Sequence, residues 1–293
     1  MARETFTPHR FDARATQLLG IIVALTEQYM AEGFTLTLRQ LYYQLVSRDI
    51  IPNSEREYKR VGKIVANGRL AGEIDWDAIE DRGRIPKQNP HWSSTKDLVG
   101  DAAEAYAIDK WARQPAHVEV WVEKDALSGV IEPICRANDV TFMANRGYSS
   151  LSAMYEASLR LCNAISENRE PCIIYLGDHD PSGMDMTRDI EERLSLFCYH
   201  EIEVRRIALN MDQVKKYNPP PNPAKLTDSR SRRYVAVYGR SSWELDALEP
   251  KVLAALVENE IADLREDDLW EEACAEETRG RNRLKLIASK MRK

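Results

Sequence analysis

The stretch PCIIYLGDHDPSGMDMTRD, residues 171–189, decides how the rest of the chain is read. Cys172 to Leu176 is an apolar run with two β-branched isoleucines, and it stops at Gly177 ahead of Asp178, His179, Asp180 and Pro181. A short apolar run that ends at a glycine and a pair of acids reads as a buried strand of a parallel sheet. Asp180 and Pro181 read as a helix start, with Asp as the N-cap and Pro at the first helical position. The two aspartates are therefore expected at the carboxyl end of a central strand, where open α/β sheets place their ligands. Alternation along the extended chain sends Asp178 and Asp180 one way and His179 another. Two converging carboxylates repel unless a cation sits between them, and an oxygen-only donor set suits Mg²⁺. Such a pair also arises about once by chance in a chain of this size. Asp75-Trp76-Asp77 is a second example with no strand in front of it. Taken alone, the segment reads equally well as a solvated loop with a helix cap.

A second site lies upstream in HVEVWVEKD, residues 117–125. Val118, Val120 and Val122 alternate with Glu119 and Trp121, a strand period that Glu123 closes, and Ala126 to Ala137 follows with helical spacing. A strand ending in Glu and a later strand ending in Asp-x-Asp, with helical segments between them, resembles a Toprim domain. Asn145-Arg146-Gly147-Tyr148-Ser149-Ser150 and Asp178-His179-Asp180-Pro181-Ser182-Gly183 are similar to segments of the topoisomerase VI A subunit and the related meiotic break-forming transesterases. SWELDAL, residues 242–248, resembles the acidic segment late in that family's catalytic domain. The resemblance implies that Glu123, Asp178 and Asp180 hold a catalytic Mg²⁺.

Nearer the N-terminus, helical apolar spacing runs from Phe11 to Met30 and ends at Gly33. Thr37 can cap a second helix reaching Ser47, and Ser54-Glu55-Arg56-Glu57 reads as a capping box opening a third through about Ala71. The third helix carries Arg56, Lys59, Arg60, Lys63 and Arg69. Three short helices with a basic third one read as a helix-turn-helix whose third helix enters a major groove, although the same charges also suit a solvated amphipathic face. On a helical wheel Leu41, Tyr42 and Leu45 face the core, whereas Tyr43 falls on the polar face beside Arg39. By itself that is a surface tyrosine stacked on an arginine. Arg39-Gln40-Leu41-Tyr42-Tyr43 is, however, similar to the Arg-x-x-x-Tyr motif of the same family. There the last tyrosine attacks DNA and the arginine assists it, which implies Tyr43 and Arg39 here.

At 293 residues the chain has room for one large domain or two ordinary ones, and 43% hydrophobic with 30% charged residues is a globular composition. No apolar run approaches a membrane span, and the N-terminus shows no signal-peptide core. Five widely spaced cysteines argue for reduced thiols in a cytoplasm, against a disulfide frame or a zinc site. The net charge of −6 is unevenly spread. Residues 241–280 carry −10 and residues 281–293 carry +6, which leaves the other 240 residues near neutral and permits a local basic groove. A Gly-x-x-x-x-Gly-Lys phosphate loop is absent, so ATP hydrolysis by this chain has no support.

The expected architecture is α/β: an N-terminal winged-helix (CAP-like) domain over residues 1–90, a linker and lead-in helix over 91–115, and a Toprim (Rossmann-like parallel sheet) domain with a C-terminal helical extension over 116–293. Asp75 to Arg84 is expected as the wing, Pro86 to Lys96 as the linker, and Asp101 to Arg113 as the lead-in helix. Further strands are expected near Val140 to Met143 and Glu201 to Leu209, with helices at Leu253 to Asp263 and Leu269 to Ala275 and a basic amphipathic helix or tail at Arg281 to Lys293. The resemblance implies Mg²⁺-dependent cleavage of double-stranded DNA through a 5′-phosphotyrosyl intermediate, in a homodimer whose tyrosine meets the partner's metal. It also implies a nucleoid-associated place in the cytoplasm and a separate ATPase B-type subunit for strand passage. Two other readings are a Toprim nuclease that hydrolyses DNA with water and a non-catalytic DNA-binding protein.

Overall fold

The computed structural model describes residues 3–80, 89–225 and 227–291. Three helices come first: α1 (Ala13–Ala31), α2 (Leu38–Ser47) and α3 (Glu55–Leu70). Thr37 caps α2 through Gln40 N–H while the Gln40 side chain accepts from Thr37 N–H, so the capping box sits here. At α3 Ser54 caps alone, by accepting from Glu57 N–H. Leu18, Ile22, Leu41, Leu45, Val61 and Ile64 fill the core between these helices. A turn at Trp76–Ala78 and a parallel bridge between Ile79 and Leu36 close the unit. The wing and linker expectations fall partly on residues 81–88, outside the described residues.

Helix α4 spans Thr95–Ala105, capped by Ser94. The lead-in helix was expected at Asp101 to Arg113. It forms earlier because Ser94 supplies the cap, and Asp109 instead folds a turn by accepting from Trp111 N–H.

The sheet follows: β1 (Ala116–Val122), β2 (Thr141–Ala144), β3 (Glu170–Leu176) and β4 (Glu203–Ala208), all parallel, in the order β2-β1-β3-β4. Its crossovers are helical: α5 (Ser128–Ala137), α6 (Leu151–Ser166) and α7 (Pro181–Cys198). Val118, Val120, Val122, Ile174 and Leu176 face α5 on one side. Trp121, Ile173 and Tyr175 face α6 and α7 on the other. Both faces being covered explains why β3 reads as a continuous apolar run. Glu119 is buried among the second set, where Arg160 binds both of its oxygens at 2.8 Å and Trp121 Nε1–H donates at 2.9 Å.

Past β4 come α8 (Met211–Tyr217), a two-residue ladder of β5 (Asn222–Pro223) with β6 (Ser241–Ser242), and α9 (Ser231–Tyr238). Then α10 (Pro250–Leu264) covers the α5 face of the sheet. The expected helix at Leu269 to Ala275 and the basic segment after it, which takes the helical of its two expected forms, are one helix, α11 (Asp267–Lys290). It runs unbroken because Glu277 is fixed on its inner side by Lys110 Nζ at 2.7 Å and by Ile108 N–H. Among the described residues no helix is long and apolar enough to cross a membrane. All five cysteines are free thiols.

Candidate active site

Glu123 follows the last residue of β1, and its N–H donates to Leu176 O, the last residue of the adjacent β3. The parallel ladder thus delivers Glu123 and Asp178 to one place: Asp178 N–H donates to Glu123 Oε2 at 2.7 Å. Asp180 turns its Oδ1 back to Gly183 N–H and Ser182 Oγ, capping α7 as expected, with Pro181 in the first turn. Two glycines make this approach possible. A Cβ at Gly177 would lie 3.0 Å from Glu123 Oε2, and one at Gly183 would fall on Asp178 O. Arg206 underpins the loop from β4, donating to the carbonyls of Gly177, Asp178 and Gly183. Nothing in the sequence marked Arg206 apart from Arg205, which alternation sends outward to Glu203 and Glu260.

Among the described residues, the carboxylates whose ligand atoms all lie within 4.8 Å of one another are Asp178, Glu244 and Asp246, not Glu123, Asp178 and Asp180. The segment after β6 reaches the strand ends because Trp243 pairs with His179, and Leu245 N–H donates to Asp178 Oδ1 at 2.8 Å. Lys124 lies inside this group, with Nζ 2.5 Å from Asp178 Oδ2, in contact with Glu244 and 3.4 Å from Asp246 Oδ1. Arg39 reaches over from α2 to Glu244 at 2.8 Å and Asp246 at 2.9 Å. Lys124 was readable only as the neighbour of Glu123. Glu244 and Asp246 were visible as an acidic segment without a place.

Burial sets the electrostatics. It raises the proton affinities of Glu123 and Asp178, with Lys124 opposing in both cases. Burial alone would make Lys124 easier to deprotonate, yet Asp246, Asp178 and Glu244 together hold its pKa well above the ordinary value. Glu244 is held below the usual carboxylate range because Lys124 and Arg39 outweigh its burial. Five carboxylates (Glu123, Asp178, Asp180, Glu244 and Asp246) meet three basic groups (Lys124, Arg39 and Arg206). An oxygen-only donor set suits a hard divalent cation, and among the described residues the carboxylates that converge closely enough to share one are Asp178, Glu244 and Asp246.

Tyr43 is 7% exposed, not on an open polar face. A wheel sees one helix, and the face it assigned to solvent is covered by the Leu245–Ala247 turn, whose Ala247 joins the same core cluster as Tyr43. Burial and Glu244 raise the pKa of Tyr43 above the ordinary 10, against the pull of Arg39 and Lys124. The Arg39 guanidinium lies 5.8 Å from the ring centroid. Within its own chain Tyr43 lies near the Glu244 carboxylate.

On α3, Arg56 and Lys63 are exposed, Lys59 pairs with Glu55, and Arg60 pairs with Glu57. Arg69 is turned away from solvent, donating to the carbonyls of Trp76 and Ile79 and lying over the Trp76 ring. Its guanidinium staples the turn that closes the helical unit. Comparison with protein-family models and with curated proteins returned no match for this chain.

Proposed function

We propose that this chain is a Mg²⁺-dependent DNA-cleaving transesterase of the topoisomerase VI A-like kind, built from a winged-helix unit and a Toprim unit. The observation that carries the reading is the meeting of α2 with the strand ends: Arg39 is ion-paired to Glu244 and Asp246, and these lie against the Asp178 carboxylate beside Glu123. Magnesium bound there would polarise a phosphoryl oxygen. Tyr43 Oη attacks the phosphorus of one strand, the bond to the 3′ oxygen breaks, and the phenolic proton leaves as the 3′ hydroxyl is released. The strand end stays on the protein as a 5′-phosphotyrosyl ester, which conserves the bond for resealing. Arg39 stabilises the charge that develops on the phenolic and phosphoryl oxygens. Two chains, one per strand, make a double-strand break, and strand passage needs a separate ATP-driven subunit.

The burial of Tyr43 favours a second reading, in which water is the nucleophile and the chain is a Toprim nuclease. Supercoiled plasmid incubated with Mg²⁺ and then denatured separates the two. The transesterase leaves protein-linked 5′ ends that vanish in Tyr43→Phe, and Asp178→Asn or EDTA abolishes all cutting. Cutting by Tyr43→Phe with free ends establishes the nuclease instead.

A further inference from the structure

Two sequence features have no part in the cleavage centre: the Asn145–Ser150 segment with Tyr148, and the basic run Arg230 to Arg233. The fold brings them together. Tyr148 Oη donates to Asp185 at 2.8 Å, and the Arg230 guanidinium lies 4.9 Å from the Tyr148 ring centroid while pairing with Asp185 at 2.7 Å. Beside this contact opens a cavity of ≈ 580 Å³ between the first turns of α7 and helix α9. Its floor is apolar and aromatic, from Pro181, Met184, Tyr234 and Tyr238, and its rim carries Arg188, Arg230 and Arg233.

Of the residues lining the cavity, three are arginines and one, Asp185, is an acid. Asp185 is already engaged by Arg188 and Arg230. Arg233 is exposed and has no ion-pair partner among the described residues, and Val237 at the mouth is 68% exposed. An aromatic floor beneath an arginine rim suits a ring that stacks and an anion attached to it. The volume is that of an ordinary small-ligand site. The cavity also shares a wall with the acidic centre. Pro181 directly follows Asp180, and Tyr234 Oη donates to His179 O at 2.8 Å, between the two aspartates.

We infer that this cavity is a subsite for one unstacked nucleotide of the DNA strand running past Asp180, its base against Tyr234 and Tyr238 and its phosphate on Arg233. The inference rests on reading the chain as a DNA-cleaving protein and adds to it where the strand beside the cut is held. A filled subsite bears on Tyr234 and through it on the Asp178–Asp180 loop, so strand binding and carboxylate placement are linked.

The test is binding of a fluorescein-labelled single-stranded oligodeoxynucleotide to the full chain in EDTA, followed by anisotropy over a salt series. Arg233→Ala is expected to weaken binding and to lower the slope of log affinity against log salt by about 0.7. Val237→Glu, which sets a carboxylate at the mouth, is expected to weaken it roughly tenfold by adding a like charge beside the phosphate. Arg232→Ala, an equal charge change on an exposed neighbour outside the cavity, is expected to leave binding close to wild type. Wild-type binding by both cavity variants overturns the inference, as do equal losses for Arg232→Ala and Arg233→Ala, which would mean long-range charge alone. Because no metal is present, the outcome is separable from the cleavage reading. Free-ended cutting by Tyr43→Phe removes the transesterase and leaves the subsite standing, whereas no DNA binding by the wild-type chain removes both.

Discussion

Arg39 shows how much one side chain carries across the molecule. It leaves a helix of the N-terminal unit and ends on Glu244 and Asp246, about two hundred residues later in the chain. Removing it leaves those carboxylates and the Tyr43 hydroxyl with Lys124 as the nearest base. Arg39→Ala is expected to slow cleavage by about 10²–10³-fold, in line with loss of one donor to a developing anion, while the far-ultraviolet circular dichroism is unchanged. A second residue makes a pH prediction. Glu119 is buried, yet Arg160, His117 and Trp121 outweigh that burial and hold its carboxyl down at about 2. Its folded pKa lies below the unfolded one of 4.5, so its stabilisation is complete above pH 4.5 and is lost as pH falls towards 2. Glu119→Gln is expected to remove roughly 3 kcal/mol at neutral pH and to flatten the acid limb of the stability curve in that window, read by urea unfolding at stepped pH. At this scale the sequence was a good guide where a residue acts through its own backbone: Thr37 and Asp180 cap helices at the expected positions. It failed at Tyr43, because the segment that covers the ring comes from beyond residue 240 and no local period encodes it.

Among the elements, the β3–α7 connection does the most. The four strands of the parallel sheet were readable in the sequence, and the loop after β3 from its acids, whereas the short β5–β6 ladder was not. What the pattern did not reveal is why Gly183 stands in Asp-x-Asp-Pro-x-Gly: its missing side chain leaves room for Asp178 O and Glu123 Oε2. Gly183→Ala is therefore expected to abolish cleavage and to destabilise the fold by about 1–3 kcal/mol, since the obstacle is backbone that cannot rotate aside. Thermal unfolding alongside a plasmid assay checks both. Helix α3 makes a different kind of prediction. Arg56 and Lys63 are free to meet phosphates, but Arg69 is tied to two carbonyls. Binding of duplex DNA should lose about one unit of salt slope for Arg56→Ala or Lys63→Ala. Arg69→Ala should instead lower the melting temperature and leave the slope alone. Charge spacing along α3 could not distinguish these arginines, because the turn that captures Arg69 lies beyond the helix.

Across the whole molecule, a helical unit and a four-stranded parallel sheet meet at a partly buried polar seam. Charge ties that seam together, with Arg39 and Lys124 set among Asp178, Glu244 and Asp246. The sequence offered some of these groups as separate motifs, a tyrosine with its arginine and a set of acids after two strands. Their union within one chain was not legible, because the Ser242–Leu248 segment that joins them is far from both in sequence. The most direct measurement is the identity of the residue left on cut DNA. Cleaved plasmid is trimmed with nuclease, the protein is digested with trypsin, and the peptides are weighed by mass spectrometry. The peptide containing Tyr43 should carry a nucleotide through a phosphodiester to its phenolic oxygen. An unmodified Tyr43 peptide together with free 5′ phosphates on the DNA would contradict the account.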